Sequence, residues 1–251
     1  MTRVLVSVQN LREAQVALKA GADIIDLKSP ERGSLGALPT RELRGIVASL
    51  ERRRPISATV GDLPMEPRAV TAAAAATFDT GVDYVKIGFF PDGDPWATVR
   101  ALAPLAERGC RLVAVLFGDL NPDLGWPARL AEAGFVGCML DTMDKTHGSL
   151  TQVRAVDFLR RFVAEVQRSD LLCGLAGSLT LGDIPALLEL HPDYLGFRGA
   201  LCRGHKRTHS LDGNLVRRIG SAVRGAAVNT RTCLDEPQIE AGKERCQPEL
   251  Q

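Results

Sequence analysis

One recurrence constrains this chain more than any other feature. A helical stretch closes on a glycine, and a short apolar strand follows within a few residues. It is plain at Ala20-Gly21-Ala-Asp-Ile-Ile, at Thr80-Gly81-Val-Asp-Tyr-Val and at Ala133-Gly134-Phe-Val. Glycine takes the left-handed conformation of a helix C-cap at little cost, so it marks where each helix stops. The period, roughly 25–30 residues, is that of a βα unit.

Read from end to end, the pattern gives eight strands, over 4–8, 23–28, 56–60, 83–88, 111–117, 135–141, 171–177 and 194–197. Helices are expected between them over 11–20, 40–50, 67–80, 94–108, 127–133, 153–167 and 181–190, and a last one over 212–223. Asn10 is a plausible N-cap for the first, with Glu13 at the third helical position in a capping-box-like arrangement. Alternating βα units over about 220 residues predict either a parallel barrel or a doubly wound sheet. The count of eight favours an α/β fold with a single (β/α)8 TIM barrel over 1–225. No GxGxxG follows the first strand, which removes the best support for a dinucleotide-binding sheet. Beyond Gly225 apolar periodicity stops, and 226–251 are expected to form a disordered tail.

Composition excludes several functions. The net charge is +1 and aromatics are 5% of the chain, so neither a basic patch for nucleic acid nor a stacking platform is expected. No apolar run is long enough to span a bilayer, and the N-terminal one is too short for a signal peptide, so a soluble, cytoplasmic protein is expected. The six cysteines are scattered without a CxxC pair and read as reduced, mostly buried thiols. His147, His205 and His209 lie in loops without HxH or HExxH spacing, so no metal is expected.

In a barrel of this kind, chemistry sits at the C-terminal ends of the strands and in the loops that follow. Charged residues collect there: Asp26 and Lys28, Asp62, Lys86, Asp119, then Asp141 with Lys145 just beyond. Asp26 and Lys28 are two apart, so they share one face of their strand. A buried ammonium is rarely tolerated without a partner, but it suits a mouth that receives an anion. A desolvated lysine beside other cations becomes a free amine that attacks a carbonyl and forms a Schiff base. Asp26 and Asp141 would hold the ammonium forms or move protons. After the seventh and eighth strands, Gly177-Ser178 and Arg198-Gly199 are candidates for binding a phosphate: glycine lets backbone N–H groups approach, Ser178 adds a hydroxyl and Arg198 a fork.

With these residues assembled, the chain resembles the (5-formylfuran-3-yl)methyl phosphate synthase family of methanofuran biosynthesis, also called 4-(hydroxymethyl)-2-furancarboxaldehyde phosphate synthase. The motifs, between about Val4 and Val223, are Gly21-Ala-Asp-Ile-Ile-Asp-Leu-Lys28 with Pro30 and Gly33-Ser-Leu-Gly36; Ser57-Ala-Thr-Val-Gly-Asp62; Asp83-Tyr-Val-Lys86-Ile-Gly; Met139-Leu-Asp-Thr142 with Lys145; Leu175-Ala-Gly-Ser178; and Arg198-Gly-Ala200 with Cys202. The segment from Asp119 to Trp126 is compact and has no match. The resemblance implies a TIM barrel that condenses two molecules of glyceraldehyde 3-phosphate, in one-carbon metabolism, with no cofactor. It implies Lys28 as the Schiff-base lysine and Lys86 as general acid and base, assisted by Asp26, Asp141 and Lys145. A homo-oligomer is expected. The alternatives are another triose- or sugar-phosphate barrel, an aldolase or epimerase, and a non-catalytic barrel that binds a phosphorylated metabolite.

Overall fold

A computed structural model describes residues 1–232, with side chains described as far as residue 225. The order is β1 (Arg3–Val8), α1 (Leu11–Lys19), β2 (Ile24–Leu27), α2 (Thr40–Leu50), β3 (Ile56–Thr59), α3 (Pro67–Phe78), β4 (Tyr84–Gly88), α4 (Pro95–Glu107), β5 (Leu112–Phe117), α5 (Trp126–Glu132), β6 (Gly137–Asp141), α6 (Leu150–Val153), α7 (Val156–Arg168), β7 (Leu172–Leu175), α8 (Ile184–Leu188), β8 (Tyr194–Phe197) and α9 (Gly213–Thr232). The strands pair in chain order, all parallel, and β8 returns to β1, so the sheet closes on itself. This is the eightfold barrel that the glycine recurrence predicts. Gly21, Gly81 and Gly134 have φ of +87°, +86° and +81°, the left-handed turn out of a helix.

Alternation along the strands divides the core in two. Val4, Val6, Val8, Ile25, Leu27, Val85, Ile87, Leu140 and Leu195 face the helices. Leu5, Ile24, Tyr84, Val113, Val115, Met139 and Tyr194 pack together in a separate cluster inside the barrel. Each fully buried aliphatic side chain contributes about 1.5–3 kcal/mol, which makes this plug a firm floor. One step further toward the strand C-termini the same alternation sets Ser7, Asp26 and Lys86. The floor is apolar and the layer above it is polar, and the candidate site is built on that layer.

Gly174 on β7 makes room for part of the floor. A Cβ there would lie 2.2 Å from Cζ and 2.5 Å from Oη of Tyr194. Tyr194 is itself buried and cannot swing clear. Gly174→Ala is expected to destabilise the barrel by about 1–3 kcal/mol through overpacking. An unchanged urea midpoint would show that the ring has space to move.

The structure departs from the expected elements in three places. The long helix expected from residue 153 starts only at Val156, because Arg154 is extended (φ −135°, ψ 134°) between it and a separate short helix, α6, that ends at Val153. Ser149 and Gln152 form a capping box that starts a separate short turn, and Leu150 N donates to Gly177 O at 2.9 Å. The helix expected over 181–190 divides into a 3-10 turn, Leu181–Asp183, and the short α8. The last helix runs on to Thr232, past the expected boundary at 225, and the rest of the expected tail, 233–251, lies outside the described residues. Cys110, Cys138, Cys173 and Cys202 are buried free thiols. Among the described residues no helix is long and apolar enough to cross a membrane.

Candidate active site

Two charged groups form at the C-terminal ends of the strands. The first surrounds Asp26, which has no exposed surface. Its Oδ1 accepts from Lys86 Nζ at 3.0 Å and from Ser57 Oγ at 2.7 Å, and its Oδ2 accepts from Ser7 Oγ at 2.9 Å. Register explains the cluster: Ser7 and Ser57 are the partners of Asp26 on the neighbouring strands. Burial alone would raise the Asp26 carboxyl pKa. Lys86, then Lys28, and the hydroxyl of Ser57 outweigh it and hold the pKa below the usual carboxylate value.

The second group surrounds Asp141. Lys145 Nζ is 2.5 Å from its Oδ1, and Lys28 Nζ is 3.9 Å from its Oδ2. Thr142 N donates to the same Oδ1 at 2.8 Å. Lys145 also donates to Thr142 O and, at 3.2 Å, to Thr142 Oγ1. Burial raises the Asp141 carboxyl, and Lys145 and Lys28 together overcome that and leave it well below the carboxylate range. Asp26 and Lys28 therefore share a face, as expected, but the nearest cation to Asp26 is Lys86, across β3, and Lys28 turns to Asp141.

Lys28 sits just past the end of β2, where its N–H still donates to Val8 O at 3.0 Å. Burial pushes its pKa down from 10.5 to about 8. Asp141 and Asp26 resist the fall, and Lys86 and Lys145 add to it. The sign of the pH effect follows. Both folded and unfolded chains hold this proton below about pH 8, so the cost of the buried ammonium is full there. It fades as pH rises from about 8 to 10.5, where only the unfolded chain still holds the proton. The free amine appears over the same rise. The kcat/KM of the free enzyme is expected to climb with a midpoint near pH 8. A pH–rate profile whose limb falls at the ordinary lysine value instead would remove Lys28 from that role.

These groups open into a cavity of about 630 Å³ that Lys28, Lys86, Asp141 and Lys145 share with Gly177 and Ser178. The cavity thus brings together all the expected side chains except Asp26, which lies beneath it. Gly199 lines it as well. Gly177 has φ +109°, and a Cβ there would come within 2.8 Å of Thr142 N, so the loops after β6 and β7 cross in contact only because that residue is glycine.

Arg198 corrects an expectation. It lines the cavity, but all five of its N–H groups are already occupied. Nε donates to Arg207 O at 2.7 Å. Nη1 donates to Ser7 O at 3.1 Å and Glu13 Oε2 at 2.5 Å, and Nη2 to Glu13 Oε1 at 3.3 Å and His209 O at 3.0 Å. A fork that completes a buried pair with Glu13 has no hand left for a phosphate. Three supporting acids or arginines went unassigned in the sequence. Asp62 accepts from Ser34 N and Leu35 N and fixes the loop after β2. Asp119 accepts from Met143 N and Asp144 N and fixes the loop that carries Lys145. Arg207 lines the cavity and donates to Gly33 O at 2.7 Å. The first two sit where charged residues gather at strand ends, but their partners are backbone groups of other loops, which sequence spacing does not reveal.

Comparisons with known proteins agree on a family. A family profile described as 4-HFC-P synthase matches residues 4–220. A protein of Methylorubrum extorquens provisionally named (5-formylfuran-3-yl)methyl phosphate synthase is 48% identical over 223 residues, 88% of this chain and 92% of that protein. The (5-formylfuran-3-yl)methyl phosphate synthase of Methanocaldococcus jannaschii is 34% identical over 229 residues, 86% of this chain and 97% of that one. Among solved structures, 3-hexulose-6-phosphate synthase from Salmonella typhimurium superposes with a TM-score of 0.61 at 20% identity, covering 90% of this chain and all of that one. Phosphoribosyl anthranilate isomerase from Thermus thermophilus gives 0.62 at 15%, covering 92% of this chain. Likeness at that identity speaks for the barrel alone.

Proposed function

Because the chain belongs to the (5-formylfuran-3-yl)methyl phosphate synthase family, we propose that it condenses two molecules of glyceraldehyde 3-phosphate into the furan aldehyde phosphate used to build methanofuran. The balance closes without an oxidant or reductant: two triose phosphates equal one (5-formylfuran-3-yl)methyl phosphate, one phosphate and two waters. Proton transfers and one good electron sink are what the reaction asks of a protein.

One observation carries the assignment. Lys28 is an amine with a pKa near 8, 3.9 Å from Asp141, in a cavity shared with two further lysines. As a free base it adds to a substrate carbonyl and loses water to give a protonated imine. That imine draws electrons from the neighbouring carbon, which serves both the isomerisation of one triose phosphate to the ketose form and its aldol addition to the other. Lys86, held by Asp26, is the general acid and base of the following steps. It exchanges protons with the substrate as phosphate leaves and the ring closes. Asp141 and Lys145 hold the amine in place and share its proton.

The test is the product. The enzyme incubated with glyceraldehyde 3-phosphate is expected to produce a furan aldehyde chromophore and one phosphate per furan. An aldol or epimer product without phosphate release would reject the synthase in favour of an ordinary aldolase or epimerase.

A further inference from the structure

Three arginines, Arg198, Arg207 and Arg218, line the mouth, and the guanidinium groups of the first two are in opposite conditions. Arg198 is buried, paired with Glu13, and fully hydrogen-bonded. Its bonds also grip the segment that follows β8, at Arg207 O and His209 O, while Glu13 Oε1 accepts from Leu211 N at 3.1 Å. Within 203–210 every residue is exposed except Arg207, whose side chain turns in toward the cavity. One of its N–H groups donates to Gly33 O. That carbonyl is itself fixed: Asp62 holds Ser34 N and Leu35 N, and a Cβ at Gly33 would lie 2.0 Å from Asp62 Oδ2. Among the described residues no carboxylate forms an ion pair with Arg207. The cavity wall therefore carries Lys28, Lys86, Lys145, Arg207 and the exposed Arg218 against Asp141 alone, with Arg198 already paired to Glu13 and Asp26 beneath. Such an excess of cations, with one guanidinium fork held in place and incompletely bonded, suits a phosphoryl group.

We propose that Arg207 takes the phosphoryl group of a substrate in this mouth, and that the buried Glu13–Arg198 pair is the positioning device that holds Arg207 there. The proposal rests on the reading above that the substrates are phosphorylated. It moves the phosphate fork that the sequence places at Arg198 to a residue that Arg198 secures.

Titration of inorganic phosphate tests this without turnover. Arg207→Gln is expected to weaken phosphate binding by roughly 10- to 100-fold, the range of a charge-assisted hydrogen bond. KM for glyceraldehyde 3-phosphate should rise by a similar factor. The preference for glyceraldehyde 3-phosphate over glyceraldehyde in imine trapping at Lys28 should fall. Arg207→Lys keeps the charge and loses the fork, and should fall between. Glu13→Gln should raise KM more than it lowers kcat. Combined with Arg207→Gln it should add little, because both changes remove one interaction. Phosphate binding within twofold of the parent in Arg207→Gln would overturn the proposal, as would losses that multiply in the double variant. Should Glu13→Gln not fold, the two Arg207 variants decide alone. If the parent protein makes no imine and no furan, the reaction reading fails, and the phosphate titration still decides the role of Arg207.

Discussion

Lys28→Met is expected to lower turnover on the order of 10⁴-fold or more, as loss of a covalent nucleophile does. It should also erase the mass that borohydride adds to the peptide containing that residue in the presence of glyceraldehyde 3-phosphate. Methionine keeps the length of the stem and packs readily in an irregular space. The variant should therefore fold, and better than the parent. A pKa drawn from 10.5 to about 8 corresponds to about 3 kcal/mol of disfavoured ammonium at neutral pH, and the substitution removes that load. Asp141 keeps Lys145 as its partner. A protein that is inactive and melts higher cannot owe its inactivity to unfolding. If borohydride instead marks the Lys86 peptide, the nucleophile has been assigned to the wrong lysine.

Asp26→Asn is expected to have the largest effect on stability. The side chains of Asp26 and Lys86 are 0% and 2% exposed. Removing one charge from so buried a pair leaves the other uncompensated and costs about 3–5 kcal/mol. Ser7 and Ser57 can turn their hydroxyls but supply no charge. The loss should appear in urea unfolding at neutral pH. It should shrink in acid, because the carboxyl is held below its ordinary value of 3.8: its contribution is present above that pH and disappears as pH falls through the folded pKa. Removing Lys86 as well, in Asp26→Asn with Lys86→Met, should recover most of the stability. A double variant no more stable than the single would mean that Asp26 acts through its serine bonds and not its charge. Turnover should fall at least about 100-fold in the single variant, since Lys86 would lose the group that orients it for proton transfer.

The fold was legible because a barrel of βα units repeats one local rule, and glycine marks the helix end at Gly21, Gly81, Gly109 and Gly134, while Glu51, Asp170 and His191 make the same positive-φ turn elsewhere. The charged mouth was legible for the same reason: strand ends could be located, and Asp26, Lys28, Lys86, Asp141 and Lys145 lie on or just beyond them. Who pairs with whom was not legible. Closing a sheet into a barrel staggers the strands, and stagger brings Lys86 to Asp26 across an intervening strand, a contact 60 residues apart in sequence. Arg198 was misread because a guanidinium after the last strand looks the same whether it faces a ligand or a buried acid. Its partner Glu13 reads as part of a helix cap. Asn10 Oδ1 does accept from Glu13 N at 2.9 Å, but the Glu13 carboxylate turns away to Arg198, Leu211 N and Gln9 N. The break at Arg154 was hidden because apolar spacing continues through it.

The seam between β1 and β8 has a consequence for the way the molecule comes into being. Arg198 and Glu13 are 185 residues apart, and β1 finds its second neighbour only when β8 arrives. During synthesis from the N-terminus, Asp26 and Lys28 leave the ribosome early and wait for almost the whole chain. Closing so long a loop adds little to the entropy cost, which grows only as the logarithm of length, but it places a non-local pairing late in assembly. A nascent chain therefore carries the lysine without the pocket around it. Its amine is then an ordinary solvated ammonium, and the buried group whose pKa burial draws down to about 8 appears only as the barrel shuts.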